Sequence, residues 1–194
     1  TPSRQQSSSG LQDGGNSDFA GLTNAGRTPS STPRPLLNVV PIRVRGSTGS
    51  ISTYAMVDPC ASRSFIADTI ADRLSLSGRR KQLNIATITS QMSIHTQEVR
   101  AFISGIDQSE EYPTEFSIVP EQRVSASEVP SNVDLKKEFP AFYDLINTSV
   151  DYPKVTVLLG TAQKPFTQFQ QVFESYVSPS GLLLQRTKLG FCIL

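Results

Sequence analysis

The chain is short of metal ligands, of long apolar runs and of any surplus of one charge, and each shortage closes off a class of function. It has a single histidine, His95, and two cysteines, Cys60 and Cys192, far apart in sequence. These are too few for a four-ligand structural zinc site, so no metal and no cofactor are expected. The thiols are expected to be reduced, in an intracellular, cytoplasmic setting. Apolar runs are short, and no charged segment followed by an apolar one opens the chain. Neither a signal peptide nor a spanning helix is therefore predicted, and no membrane partner is expected. Lys and Arg number 18 against 17 Asp and Glu, a net charge of +1, which gives none of the electrostatic footprint of a nucleic-acid binder. Thr1 in place of an initiating methionine leads to the expectation of a segment cut from a longer product. No self-similarity of solenoid period is visible.

What is present fits one ordinary domain with a tail: 194 residues, 37% hydrophobic and 18% charged, enough for one core. Residues 1–35 are dominated by Ser, Gly, Thr, Pro, Gln and Asn, with Phe19 as their only aromatic. They cannot bury enough apolar surface to offset their ordering entropy and read as a disordered linker. The domain, residues 36–194, begins where the composition changes at Leu36. Leu37, Val39, Val40, Ile42 and Val44 make a strand running into the glycine-rich turn Arg45 to Gly49, and Ile51 to Val57 alternates as the return strand of a hairpin. After Asp58 comes a turn, then Ser64-Phe65-Ile66 and a short amphipathic helix predicted over Ala67 to Leu76. Further strands are predicted at Gln82 to Thr89, Met92 to Ser104 and Glu115 to Val119, with a polar separator from Asp107 to Pro113. Pro120 to Val133 reads as loop and Phe139 to Ile146 as a helical turn or two. Lys154 to Leu159 is a buried strand ending in a tight turn at Gly160. Gly181 to Arg186 and Lys188 to Leu194 complete a mainly β domain, closed or sandwich-like, with one or two short helices.

The stretch Tyr54-Ala55-Met56-Val57-Asp58-Pro59-Cys60-Ala61-Ser62-Arg63-Ser64-Phe65-Ile66 is the one that carries chemistry. An acid at the end of an apolar strand is costly to bury unless it is paired or hydrogen-bonded. The pattern resembles the retropepsin active-site loop, and more closely that of Pao/BEL retrotransposon peptidases, in which an apolar strand, Asp-Ser/Thr-Gly, a small residue and Ser-Phe-Ile follow one another. The resemblance extends to Leu37–Gly46 as the first strand, to Val129-Pro130 with Leu135 and Phe139-Pro140, to Val157-Leu158-Leu159-Gly160-Thr161 as the apolar-apolar-Gly strand, and to Thr187-Lys188-Leu189-Gly190-Phe191 near the end. It therefore covers nearly the whole ordered region.

The resemblance implies a retropepsin-like closed β-barrel and an aspartic endopeptidase processing a retrotransposon polyprotein. Asp58 is then the catalytic carboxylate, in an active-site loop with Pro59, Cys60 and Ala61. It also implies a homodimer, because each chain supplies one aspartate. A flap hairpin would cover the substrate, and Thr89, Ser90 and Gln91 are the expected tip. The chain departs from the family pattern at Pro59 and Cys60, which stand where Ser/Thr and Gly are usual. Pro59 has neither a hydroxyl nor an N–H, and Cys60 adds a side chain where the family backbone is tightest.

Plainer readings of the same residues remain open. Asp58 could be a turn or capping aspartate, and the domain could be a catalytically degenerate dimerisation or peptide-binding module, or a structural domain with no dyad. Cys60 reads as a small buried thiol rather than a nucleophile, and His95 as exposed or flap-adjacent. Gly160 reads as a turn requirement, Arg79-Arg80-Lys81 as solvated surface, and Cys192 as packed in the last strand.

Overall fold

The computed structural model describes residues 38–86, 91–121, 124, 134–161 and 166–194. The expected linker 1–35, the expected flap residues Thr89 and Ser90 and the motif Val129-Pro130 lie outside the described residues.

The first hairpin forms as its alternation dictates. β1 (Val39–Arg45) and β2 (Ser50–Val57) pair antiparallel from Val39↔Met56 to Arg45↔Ser50. Val40, Ile42, Val44, Ala55 and Val57 are buried, while Arg43 stays exposed. The intervening turn closes with the Gly46 N–H donating to Gly49 O at 2.9 Å, and Gly49 sits at φ +145°, where glycine carries no penalty.

The remaining strands in chain order are β3 (Phe65–Ala67), β4 (Arg79–Ala86), β5 (Gln91–Gly105), β6 (Tyr112–Val119), β7 (Tyr152–Leu159), β8 (Glu174–Val177), β9 (Leu183–Thr187) and β10 (Gly190–Ile193). Six of them close a barrel in the order β5-β6-β3-β7-β2-β1, with β1 returning to β5 through Ile42↔Gly105 to Arg45↔Phe102. Two of its contacts are parallel, β2 with β7 and β3 with β6. Closure leaves no free edge within the barrel itself. Ile42, Val44, Ile66, Ile70, Leu74, Ile103, Phe116 and Leu159 fill it, with Phe169 packed in from outside the strands. Fully burying side chains of this size is worth roughly 1.5–3 kcal/mol each.

Two appendages leave the barrel. β5 pairs with β6 only as far as Glu98↔Ser117, and β4 pairs with β5 over the stretch beyond it, from Arg79↔Glu98 to Ala86↔Gln91. β4 and the first half of β5 therefore form a two-stranded arm. On the other side, β10, β9 and β8 extend the sheet from β1. Their face buries Leu184 and Ile193 under Phe139, with Phe142, Tyr176 and Phe191 around them. The turn between β9 and β10 is the Thr-Lys-Leu-Gly motif. Thr187 Oγ1 accepts from the Leu189 N–H at 3.2 Å and donates to Gly190 O at 3.0 Å, Leu189 is buried, and Gly190 takes φ +115°.

Several expectations are corrected. The described residues hold four helical segments rather than one or two: α1 (Asp68–Arg73), α2 (Leu135–Glu138), α3 (Tyr143–Ile146) and α4 (Phe166–Phe169), besides a 3-10 turn at Pro140–Phe142. Three of them are single turns, too short to carry a periodic signal. α1 is shorter than the expected Ala67–Leu76, because Ala67 is held in β3 opposite Val119 and Ser75 turns to φ +49°. β6 starts at Tyr112, inside the expected polar separator, because that side chain is buried edge-on against Phe169 at 5.1 Å.

Candidate functional site

Asp58 follows β2 and is fixed by main-chain bonds before its side chain makes any. Its N–H donates to Leu159 O at 3.0 Å, continuing the parallel β2–β7 ladder beyond Val57↔Leu159. Its Oδ1 accepts from the Cys60 N–H at 2.8 Å, the aspartate-turn geometry that Asp adopts readily. Asp58 is half-buried as a residue, whereas Pro59 and Cys60 are exposed and Ala61 is half-buried. The donor that orients the carboxylate thus comes from Cys60, so the missing N–H of Pro59 takes nothing from it.

The loop is clasped to the strand beside it. Thr161 donates twice to Ala61 O, from its N–H at 2.8 Å and from Oγ1 at 3.1 Å. The Gly160 N–H donates to the buried Ser64 Oγ at 3.0 Å, and the Ser117 N–H to Ser64 O at 3.0 Å. Ser64 therefore joins three segments through one buried residue. The tight backbone lies at Gly160 rather than at Cys60: a Cβ there would meet Arg63 O at 2.2 Å and Ala61 O at 2.7 Å. Gly160 is thus required for close approach of two backbones, and a turn conformation is not the reason. Cys60, expected as a buried thiol, is exposed, beside the exposed Pro59 in the turn that follows β2. Cys192 is buried in β10 as expected, with its thiol pushed up to about 11 chiefly by burial.

The arm stands beside this loop. Glu98, where the arm leaves the barrel, accepts from Lys81 Nζ at 2.7 Å and lies 3.7 Å from Arg63 of the loop. Its carboxyl is held below the usual range by the Lys81 hydrogen bond first, then by the charges of Lys81, Arg63 and Arg79. Gln91, the one expected flap residue that is described, is exposed at the far end of the arm, opposite Ala86. His95 is exposed on β5 and lines an open cleft of about 510 Å³ at the base of the arm, with Arg80, Lys81, Ile118, Val119 and Pro120.

Sequence reasoning missed Glu121. It accepts from Thr69 Oγ1 at 2.7 Å, Tyr152 OH at 2.7 Å and Lys154 Nζ at 2.8 Å, and its N–H donates to Asp68 Oδ1 at 3.1 Å. These partners, Lys154 foremost, hold its carboxyl at about 2. Glu121 ties α1 to β7, a structural role that no local pattern around it announces.

Among the described residues no group of three or more His, Cys, Asp or Glu is arranged to hold a metal, and no helix is long and apolar enough to cross a membrane. No family model matches the chain, and no curated protein matches it either.

Proposed function

We propose that the chain is a retropepsin-like aspartic endopeptidase of the Pao/BEL retrotransposon type, acting inside the cell as a homodimer on its own polyprotein. The observation that carries this reading is the placement of the Asp58 carboxylate. It stands at the end of β2 in a loop clasped to Gly160 and Thr161, with one oxygen held by the Cys60 N–H. A closed barrel behind it and a two-stranded arm beside it supply a rigid base and a cover. In the dimer, the two Asp58 carboxylates share one proton, since like charges a few ångströms apart do not both ionise cheaply. One carboxylate takes a proton from the attacking water, while the protonated partner supports the oxyanion that develops on the scissile carbonyl. The Cys60 N–H keeps the basic carboxylate in place during that transfer.

A specific observation favours a second reading, a degenerate module that dimerises or binds peptides. Pro59 is exposed and has no hydroxyl to tie one loop to its twin across the twofold axis. Processing of a precursor spanning this domain, compared with the same precursor carrying Asp58→Asn, separates the two. Cleavage lost in the variant establishes the peptidase. A folded dimer that cleaves nothing, or one whose cleavage is unchanged by Asp58→Asn, leaves the binding module.

A further inference from the structure

We infer that the cleft at the base of the arm selects acidic residues in an extended polypeptide substrate, an inference that rests on the peptidase reading above. The charge of the whole chain is nearly balanced, at 18 cations against 17 acids, yet the base of the arm is not. Arg80, Lys81 and His95 line the cleft together with Asp68, and Arg63 and Arg79 stand beside it around Glu98. Both carboxylates are already engaged: Glu98 by Lys81 and Arg63, and Asp68 Oδ1 by the N–H groups of Thr69 and Glu121. Arg79 and Arg80 are exposed, so their charge is available to an incoming anion, while Arg63, with its side chain 45% exposed, shares Glu98 with Lys81.

The surroundings fit a peptide rather than a nucleic acid. The floor of the cleft is Ile118, Val119 and Pro120, and among the described residues that line it His95 is the one ring on which a base could stack. β4 is the terminal strand of the sheet, so its outer backbone groups can accept an added strand. An extended segment laid there would bring alternate side chains toward Arg79 and Lys81, or toward Arg80, according to its register. Arg63 belongs to the same loop as Asp58, which couples this charge to the reacting centre.

The test uses Asp58→Asn protein, so that binding is read without cleavage, and follows the fluorescence anisotropy of a short labelled peptide of alternating Glu and Val. The same peptide with Gln for Glu, and a labelled oligouridylate, are the comparisons. The Glu peptide is expected to bind about tenfold tighter than the Gln peptide at low salt, with the preference vanishing near 1 M salt. In Arg63→Gln/Arg80→Gln protein the preference should shrink to about threefold. Equal binding of the Glu and Gln peptides overturns the inference. So does tighter binding of the oligouridylate, which would assign the cluster to RNA. If wild-type protein processes nothing while the Glu preference holds, the peptidase reading falls and the acidic-peptide site stands.

Discussion

Replacing Gly160 with alanine tests the construction of the site more directly than any change at Asp58. The added Cβ would lie 2.2 Å from Arg63 O, 2.6 Å from Arg63 C and 2.7 Å from Ala61 O. The first of these is about 1 Å short of the ~3.3 Å at which carbon and carbonyl oxygen ordinarily meet. All three are backbone atoms, so no side chain can swing away, and the loop must move instead. Overpacking of this kind costs roughly 1–3 kcal/mol. Moving the loop also strains the bonds from Gly160 to Ser64 and from Thr161 to Ala61, each worth about 1 kcal/mol. A total of about 3–5 kcal/mol lowers the urea midpoint by roughly 1.5–2.5 M, and precursor processing should fall with it. Gly49→Ala is the control: nothing lies within 4 Å of its Cβ, so only the positive-φ strain of roughly 1–3 kcal/mol applies, and processing should stay intact. A Gly160→Ala loss below about 0.5 kcal/mol with processing intact would refute the close approach.

Three further outcomes follow from the same geometry. Ser64→Ala leaves the buried Gly160 N–H without its acceptor and should cost about 1–3 kcal/mol in urea unfolding, whereas Ser62→Ala, at an exposed site, should cost almost nothing; equal effects would sink the account of the clasp. The Glu121 carboxyl, held at about 2 when folded, contributes stability that is complete above the ordinary carboxylate range and lost as pH falls toward its folded value. Thermal melts of wild-type protein should therefore lose about 1–2 kcal/mol more on acidification than melts of Glu121→Gln, and parallel curves would remove Glu121 from its role. A thiol reagent at neutral pH should label Cys60 in the native protein and reach Cys192 only after denaturation, since access and thiolate character set the rate; two fast equivalents would contradict the burial of Cys192.

The sequence was informative where a local pattern and the tertiary structure agree. The alternation of β1 and β2 faces one barrel core, so the hairpin and the position of Asp58 at its end were legible. The Leu-Leu-Gly strand was legible for the same reason, but the purpose of its glycine was not, because Arg63 approaches it from about a hundred residues away. Glu121 was invisible because its partners Thr69, Tyr152 and Lys154 come from α1 and β7. β8, α2 and α4 were too short to show a period, whereas the helical turns expected over Phe139 to Ile146 are there, as the 3-10 turn and α3. A small thiol is usually buried, but Cys60 lies in the aspartate turn after β2 and is exposed.

The pairing of β2 with β7 also sets when the site can exist. Asp58 leaves the ribosome about a hundred residues before Gly160 and Thr161, the residues that clasp its loop. At roughly 5–20 residues per second, a nascent chain carries an unformed site for about 5–20 s after Asp58 is made. Under the proposed peptidase reading, the order of the strands therefore delays the site until β7 has been made.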